Sequence, residues 1–157
     1  TPEQHQFQQE ILYQAVYVPK GAEPPDRSIL SDPALALYTR DWGNDGDTGF
    51  IAVQKQTGQK LGAAWYRHFS AQHQGFGFVN EKTPELALAV LPEFRGRGIG
   101  TLLLKRLLKA AESGHSAISL SVSADNPAKR LYERFGFRVI KKTVDSVTMI
   151  RAFESRG

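Results

Sequence analysis

The sharpest change in the pattern of apolar and polar positions falls between residues 86 and 111. The apolar run Leu86-Ala87-Leu88-Ala89-Val90 reads as a buried strand, and Pro92 stops it because proline has no N–H for a sheet ladder. Three glycines follow, and 102–111 then reads as a leucine-rich helix packed heavily on a sheet. Only Thr101, Lys105, Lys109 and Glu112 form its polar stripe. Arg106 falls among the apolar positions of this helix, and the pattern gives no reason for it. Gly114 ends the helix. Ile118, Leu120 and Val122 then alternate with Ser119, Ser121 and Ser123, which predicts a strand with one greasy face and one hydroxyl face.

The flanking pattern is less regular. Thr1-Pro2-Glu3 has the form of a helix start, with a hydroxyl cap, proline at the first helical position and an acid where the helix dipole favours it. Phe7, Ile11, Leu12 and Ala15 supply the apolar stripe, ending near Val18-Pro19. Residues 19–32 are proline-rich and read as a stiff loop. Ser31 or Asp32 caps a second helix over 33–38 that ends near Trp42-Gly43. Residues 44–49 carry carboxylates, but their register fails the calcium-loop pattern and no glutamate closes it, so a plain turn is expected. Residues 50–54 and 61–66 are strands joined as a hairpin across Thr57-Gly58. His68 and His73 have no third ligand nearby, so no metal site is expected. Phe76 and Phe78 fit a substrate mouth or, as the commoner arrangement, aromatic packing under a loop. Asn126 caps a helix with Pro127 at its first position, Gly136 terminates it, and Leu131 and Phe135 face the core with Tyr132 at the border. The segments 137–140 and 147–150 close the chain as an antiparallel pair.

The turn between strand and helix is where chemistry enters. Arg95-Gly96-Arg97-Gly98-Ile99-Gly100-Thr101 places glycines and arginines at a helix start. There the amides lack intrahelical partners and the dipole favours an anion. Glycine admits close backbone approach, and arginine adds charge-assisted hydrogen bonds. The spacing Gly-x-Gly-x-Gly is neither the dinucleotide fingerprint nor a Walker A loop. On spacing alone, a pyrophosphate cradle and an ordinary tight turn with solvated arginines stand equal.

Bulk composition narrows the class. A chain of 157 residues with 41% hydrophobic and 23% charged residues fits a single soluble globular domain, 1–157. No apolar run approaches a membrane span and no leader pattern opens the chain, which points to a cytoplasmic protein. With no cysteine, disulfides, thiolate metal sites and a cysteine acyl-enzyme are excluded. A net charge of +4 suits a polyanionic ligand, while the scattered lysines and arginines make a dedicated nucleic-acid surface the weaker reading.

Two segments carry a family resemblance. Arg95 to Gly100, with Val90 and Pro92 before it, resembles the Arg/Gln-x-x-Gly-x-Gly/Ala signature of the GNAT superfamily of N-acetyltransferases. Asn126 to Phe137 resembles the Asn-x-x-Ala-x-x-Leu-Tyr-x-x-x-Gly-Phe segment of the same family, in the right order downstream, except that the alanine falls at 128. The resemblance identifies a bacterial-type member. It implies an α/β (α+β) fold: a central mixed, mostly antiparallel twisted sheet flanked by helices, whose splayed central strands hold acetyl-CoA. Members usually open with a strand before the first helix, whereas this chain opens at the helix cap, so either that strand was removed or the sheet lacks it.

The resemblance also implies roles. Arg95, Gly96, Arg97, Gly98, Ile99, Gly100 and Thr101 would bind the pyrophosphate. Backbone groups of Leu88, Ala89 and Val90 would meet the pantetheine arm and polarise the thioester carbonyl. Asn126 would hydrogen-bond the same arm, and Lys129 an outer phosphate. Tyr132 would protonate the departing thiolate. Glu85, at the head of the central strand, is the candidate base, against the plainer reading of a solvated strand-end charge; Ser121 on the following strand cannot do that job. The expected activity is acetyl transfer from acetyl-CoA to a primary amine of a small molecule or peptide, with no metal. Expected partners are that acceptor and a second copy in a homodimer, with no membrane and no nucleic acid. The competing readings are a non-catalytic CoA-binding module and a nucleotide- or nucleic-acid-binding α/β domain.

Overall fold

The computed structural model describes residues 2–19 and 21–154, so the proposed Thr1 cap lies outside the described residues. Its helices are α1 (Pro2–Ala15), α2 (Pro33–Ala36), α3 (Ile99–Glu112) and α4 (Ala128–Arg134). The strands are β1 (Thr48–Val53), β2 (Lys60–Arg67), β3 (Glu85–Val90), β4 (Ala117–Ser123), β5 (Arg138–Lys142) and β6 (Ser146–Ala152). They form one sheet in the order β1-β2-β3-β4-β6-β5. All neighbours are antiparallel except β3 and β4. The mixed, mostly antiparallel sheet expected from the sequence is therefore present, with β6 inserted between β4 and its hairpin partner β5.

The alternation of side chains across a strand divides the interior in two. Leu86, Ile118, Leu120 and Val122 meet Leu103, Leu104, Leu107 and Leu108 of α3 on one face. Ala63, Trp65 and Ala89 meet Ile11 and Leu12 of α1 on the other. Each such buried leucine or isoleucine contributes roughly 1.5–3 kcal/mol by leaving water. The polar stripe of α3 is wider than its pattern suggested. Leu102 is 64% exposed, and Lys105, Arg106 and Lys109 share the solvent face with it. Arg106 thus sits four residues from Leu102 on the outer surface, which resolves its place in the helix.

Two local expectations change. The second helix stops at Ala36 rather than near Trp42, because side chains take the carbonyls that would have extended it. Trp65 Nε1 donates to the Tyr38 carbonyl at 3.0 Å, and Arg67 donates to the Leu37 and Arg40 carbonyls at 3.1 and 2.8 Å. The 44–49 turn also does more than reverse the chain. Asp47 accepts the amides of Gly43 and Asn44 and pairs with buried Arg67 at 2.9 Å. Removing one member of such a pair costs about 3–5 kcal/mol, because the other is left charged and buried. The 19–32 loop includes a 3-10 turn, Arg27–Ser31, begun by the Asp26 carboxylate accepting from the Ser28 amide at 2.8 Å. Among the described residues no helix is long and apolar enough to cross a membrane.

Candidate active site

The parallel neighbours β3 and β4 touch at one place. Glu85 lies opposite Ser119, and the Ser119 amide donates to the Pro84 carbonyl at 2.9 Å. Beyond that point the strands separate while β3 stays paired with β2 along its whole length. The Leu91 amide donates to the Leu61 carbonyl, and in an antiparallel ladder every second residue turns its main chain to the same neighbour. In this register Ala89 presents its amide and carbonyl to β2. Leu86, Leu88 and Val90 present theirs to the gap. Of Leu88, Ala89 and Val90, all expected to meet the pantetheine arm, Leu88 and Val90 turn their main chain to the gap and Ala89 turns its main chain to β2.

At the wide end of the gap a 3-10 turn, Pro92–Phe94, leads into Gly96 and Gly98, whose φ angles are 79° and 80°. That left-handed backbone is costly for any residue with a Cβ, which explains the alternating glycines. A Cβ at either position would meet nothing within 4 Å, so the space above the loop is open. Among the described residues no protein group accepts a hydrogen bond from the amides of Arg97, Gly98, Ile99, Gly100 or Thr101. These are the donors a diphosphate requires, at the start of a 14-residue helix. Gly100 turns inward instead, with Val90, Leu131 and Leu88 just under 4 Å from the place of its Cβ. This sets α4 beside the loop.

The two arginines divide the work. Arg97 is exposed and lies over the Phe94 ring at 5.6 Å, free to reach an anion. Arg95 is turned back: its Nε donates to the Val90 carbonyl at 3.1 Å, and a terminal nitrogen meets Gln14 Oε1 at 3.4 Å. It braces the loop against β3 and α1.

On α4, Asn126 Oδ1 accepts the Ala128 amide at 2.9 Å, the capping contact expected of it, which leaves its side-chain NH2 available. Lys129 is half-buried in the first turn. Phe137 N–H returns to the Tyr132 carbonyl across Gly136 at φ 88°, closing the helix where glycine was expected. Tyr132 is more deeply buried than Leu131 or Phe135: its ring is 6% exposed and lies edge-on to Phe137 at 5.7 Å. Burial raises its phenol to about 12, so at neutral pH it is a proton donor.

Glu85, at the narrow end of the gap, overturns the picture of a solvated strand-end charge. Its side chain is 1% exposed. Oε2 accepts from the Tyr38 hydroxyl and from the Gly77 amide at 3.1 Å, whereas Oε1 has no hydrogen-bond partner among the described residues. Burial pushes the carboxyl up to about 7, opposed by the Tyr38 and Gly77 hydrogen bonds. A carboxylic acid poised near neutrality, with one oxygen unclaimed, has the form of a general base. Tyr38, Gly75 and Gly77 were not legible as site residues. The only signal was a Gly-Phe-Gly triplet in an aromatic stretch. A cavity of about 420 Å³ opens on this side of the molecule, lined in part by Leu37, Arg40, Arg67, His68 and Phe69.

Comparison with known proteins agrees with this geometry. Residues 45–139 match the family model for the acetyltransferase (GNAT) domain. A mycothiol acetyltransferase from Propionibacterium freudenreichii is 28% identical over 143 residues, covering 88% of this chain and 43% of that protein. An N-alpha-acetyltransferase from Sulfolobus acidocaldarius is 42% identical over 59 residues, covering 36% of this chain and 35% of that protein. The chain thus spans less than half the length of these curated relatives. A GnaT-family acetyltransferase structure from Bordetella pertussis shares the fold with a TM-score of 0.67 at 21% identity, over 94% of this chain and 90% of that one. With a family model spanning the hairpin, the splayed strands, the glycine loop and α4, the chain belongs to the GNAT acetyltransferase family.

Proposed function

We propose that the chain is an N-acetyltransferase that moves the acetyl group of acetyl-CoA directly to a primary amine. The observation that carries this reading is the gap between β3 and β4. It has unpaired amides at its wide end and a buried carboxylate with a free oxygen at its narrow end. Acetyl-CoA supplies an activated acetyl thioester. The amides of 97–101 and the Arg97 guanidinium hold its diphosphate, and the free edge of β3 at Leu88 and Val90 aligns the arm and donates to the thioester oxygen. Asn126 offers its NH2 to the arm and Lys129 its ammonium to an outer phosphate. The acceptor enters from the cavity beside Arg67, which lies opposite Glu85 in the β2–β3 register. Glu85 takes one proton from the ammonium through one water, and the freed nitrogen attacks the thioester carbon. The C–S bond breaks as Tyr132 protonates the departing sulfur, and the second proton lost by the new amide nitrogen restores the phenol by way of solvent. With no cysteine in the chain, no thiol stands between donor and acceptor.

The acceptor is a small-molecule or peptide amine. Two relatives, one named a mycothiol acetyltransferase and one an N-alpha-acetyltransferase, frame the search. Thermal shift with acetyl-CoA, ATP and a single-stranded oligonucleotide tests the donor site. A rise with acetyl-CoA alone is expected, because a ligand of the folded state raises its melting point. CoA release is then followed with a panel of amino acids, polyamines, amino sugars and peptides with free N-termini. Binding of acetyl-CoA without turnover across the panel would favour a CoA-sensing module. Stabilisation by the oligonucleotide and not by acetyl-CoA would favour the nucleic-acid reading.

In the same assay Tyr132→Phe is expected to keep its acetyl-CoA affinity and lose about 10²-fold in kcat, the usual worth of a positioned general acid. Unchanged turnover would remove the phenol from the reaction.

A further inference from the structure

We propose that Tyr38 and the Gly75-Phe76-Gly77 strap form a positioning device for Glu85. It pins Oε2 and leaves Oε1 as the only atom that can accept the acceptor's proton. The proposal rests on the reading of Glu85 as the base.

The geometry starts at Phe76, whose amide donates to the Tyr38 hydroxyl oxygen at 2.8 Å. With that lone pair engaged, the single hydroxyl proton of Tyr38 is directed at Glu85 Oε2. The Gly77 amide brings a second donor to the same oxygen. Ser119 Oγ anchors the strap from β4 by donating to the Gly77 carbonyl at 2.8 Å. The chain of bonds is buried: Tyr38 is 6% exposed and Ser119 is 0% exposed. Phe69 stands edge-on to the Tyr38 ring at 5.1 Å, and Phe76 stacks over it at 6.3 Å, holding the phenol in place.

The strap is built around the absence of side chains. A Cβ at Gly75 would lie 2.3 Å from Glu85 Oε1 and 2.9 Å from the Tyr38 oxygen. A Cβ at Gly77 would lie 2.5 Å from the Leu120 backbone. Two glycines at these places let main chain cover the carboxylate closely enough to exclude bulk water. Under this proposal a single water, admitted as the acceptor binds, relays the proton to Oε1. In the transfer, the water gives a proton to Oε1 and takes one from the ammonium, leaving a neutral amine and a protonated Glu85.

The polar neighbours of Glu85 on β2 and β4 are committed elsewhere. Arg67, opposite Glu85 on β2, is engaged by Asp47 and by two carbonyls, and Ser119 on β4 is engaged by Gly77. Burial, the Tyr38 hydroxyl and the Gly77 amide set the proton affinity of Glu85. The Tyr38 hydrogen bond favours the ionised form, so its loss raises that affinity.

The test uses the full chain carrying 13C-carboxyl glutamate, with the Glu85 signal assigned by its disappearance in Glu85→Gln. The midpoint of Glu85 is expected near pH 7 in the native protein and at higher pH in Tyr38→Phe, which removes one oxygen and nothing else. The acid limb of kcat/KM with the best panel amine should move by the same amount, with activity recovering at high pH. Gly75→Ala, which sets a methyl group against Oε1, should lose at least tenfold in kcat at unchanged acetyl-CoA affinity. An unmoved midpoint in Tyr38→Phe, or native kcat in Gly75→Ala, would overturn the positioning role. Native kcat in Glu85→Gln would instead overturn the base assignment, so the two failures are separable.

Discussion

Gly98→Trp is expected to eliminate acetyl-CoA binding while leaving the protein folded. Gly98 sits at φ 80° at the entrance to α3, with open space where a side chain would begin. A Cβ there meets nothing within 4 Å, so an indole should project into the open volume above the amides of 97–101. The left-handed backbone adds strain of roughly 1–2 kcal/mol, small against the stability of a domain this size. A ligand at a hundred times its dissociation constant stabilises by about 2.7 kcal/mol, so the native protein should show a clear melting shift with saturating acetyl-CoA. The tryptophan variant should show none, with at least a hundredfold loss of affinity by calorimetry. Gly98→Ala separates strain from blockade: it carries the same backbone penalty without the bulk and should retain most of the affinity. Native affinity in the tryptophan variant would place the diphosphate elsewhere.

The wide end of the gap was readable from sequence because its chemistry is local. Glycine at alternate positions before a leucine-rich helix fixes both the left-handed turn and the free amides, and Asn126, Pro127 and Gly136 fix the ends of α4. Nothing in such a pattern depends on distant residues. The narrow end depends on them entirely. Glu85 stands one residue after Pro84 at a strand edge, where a carboxylate is ordinarily solvated. Its burial comes from Tyr38, 47 positions away, and from a strap whose glycines look like loop filler until β4 is seen behind them. The same is true of Asp47, which reads as one more turn carboxylate and becomes a buried partner only when Arg67 arrives from β2. The short α2 follows from the same pairing, because arginine and tryptophan side chains claim carbonyls that helix propensity assigned to the backbone. Long-range side-chain bonds, invisible to periodicity, account for these three departures.

Glu85→Gln should cost about 10³-fold in kcat, within the range by which a positioned base accelerates proton removal. The amide keeps the shape and can still accept from Tyr38 and Gly77, so acetyl-CoA affinity should stay native. The pH dependence carries the sign. A base works only when ionised, so native activity should fall as pH drops through about 7, the value to which burial lifts this carboxyl. Stability should run the other way. The folded-state value lies above the ordinary 4.5, so below that pH both states hold the proton and Glu85 contributes nothing. Between about 4.5 and 7 the unfolded chain releases its proton more readily, and native stability declines as pH rises, reaching a penalty of about 3 kcal/mol above 7. Glu85→Gln lacks an ionisable group and should not show that decline. Denaturant midpoints at pH 5 and pH 8 test this without any acceptor in hand: they should converge in the variant relative to the native protein. A carboxylate kept for structure alone would sit where ionisation stabilises the fold. One held against the cost of its own charge fits a group that takes up a proton.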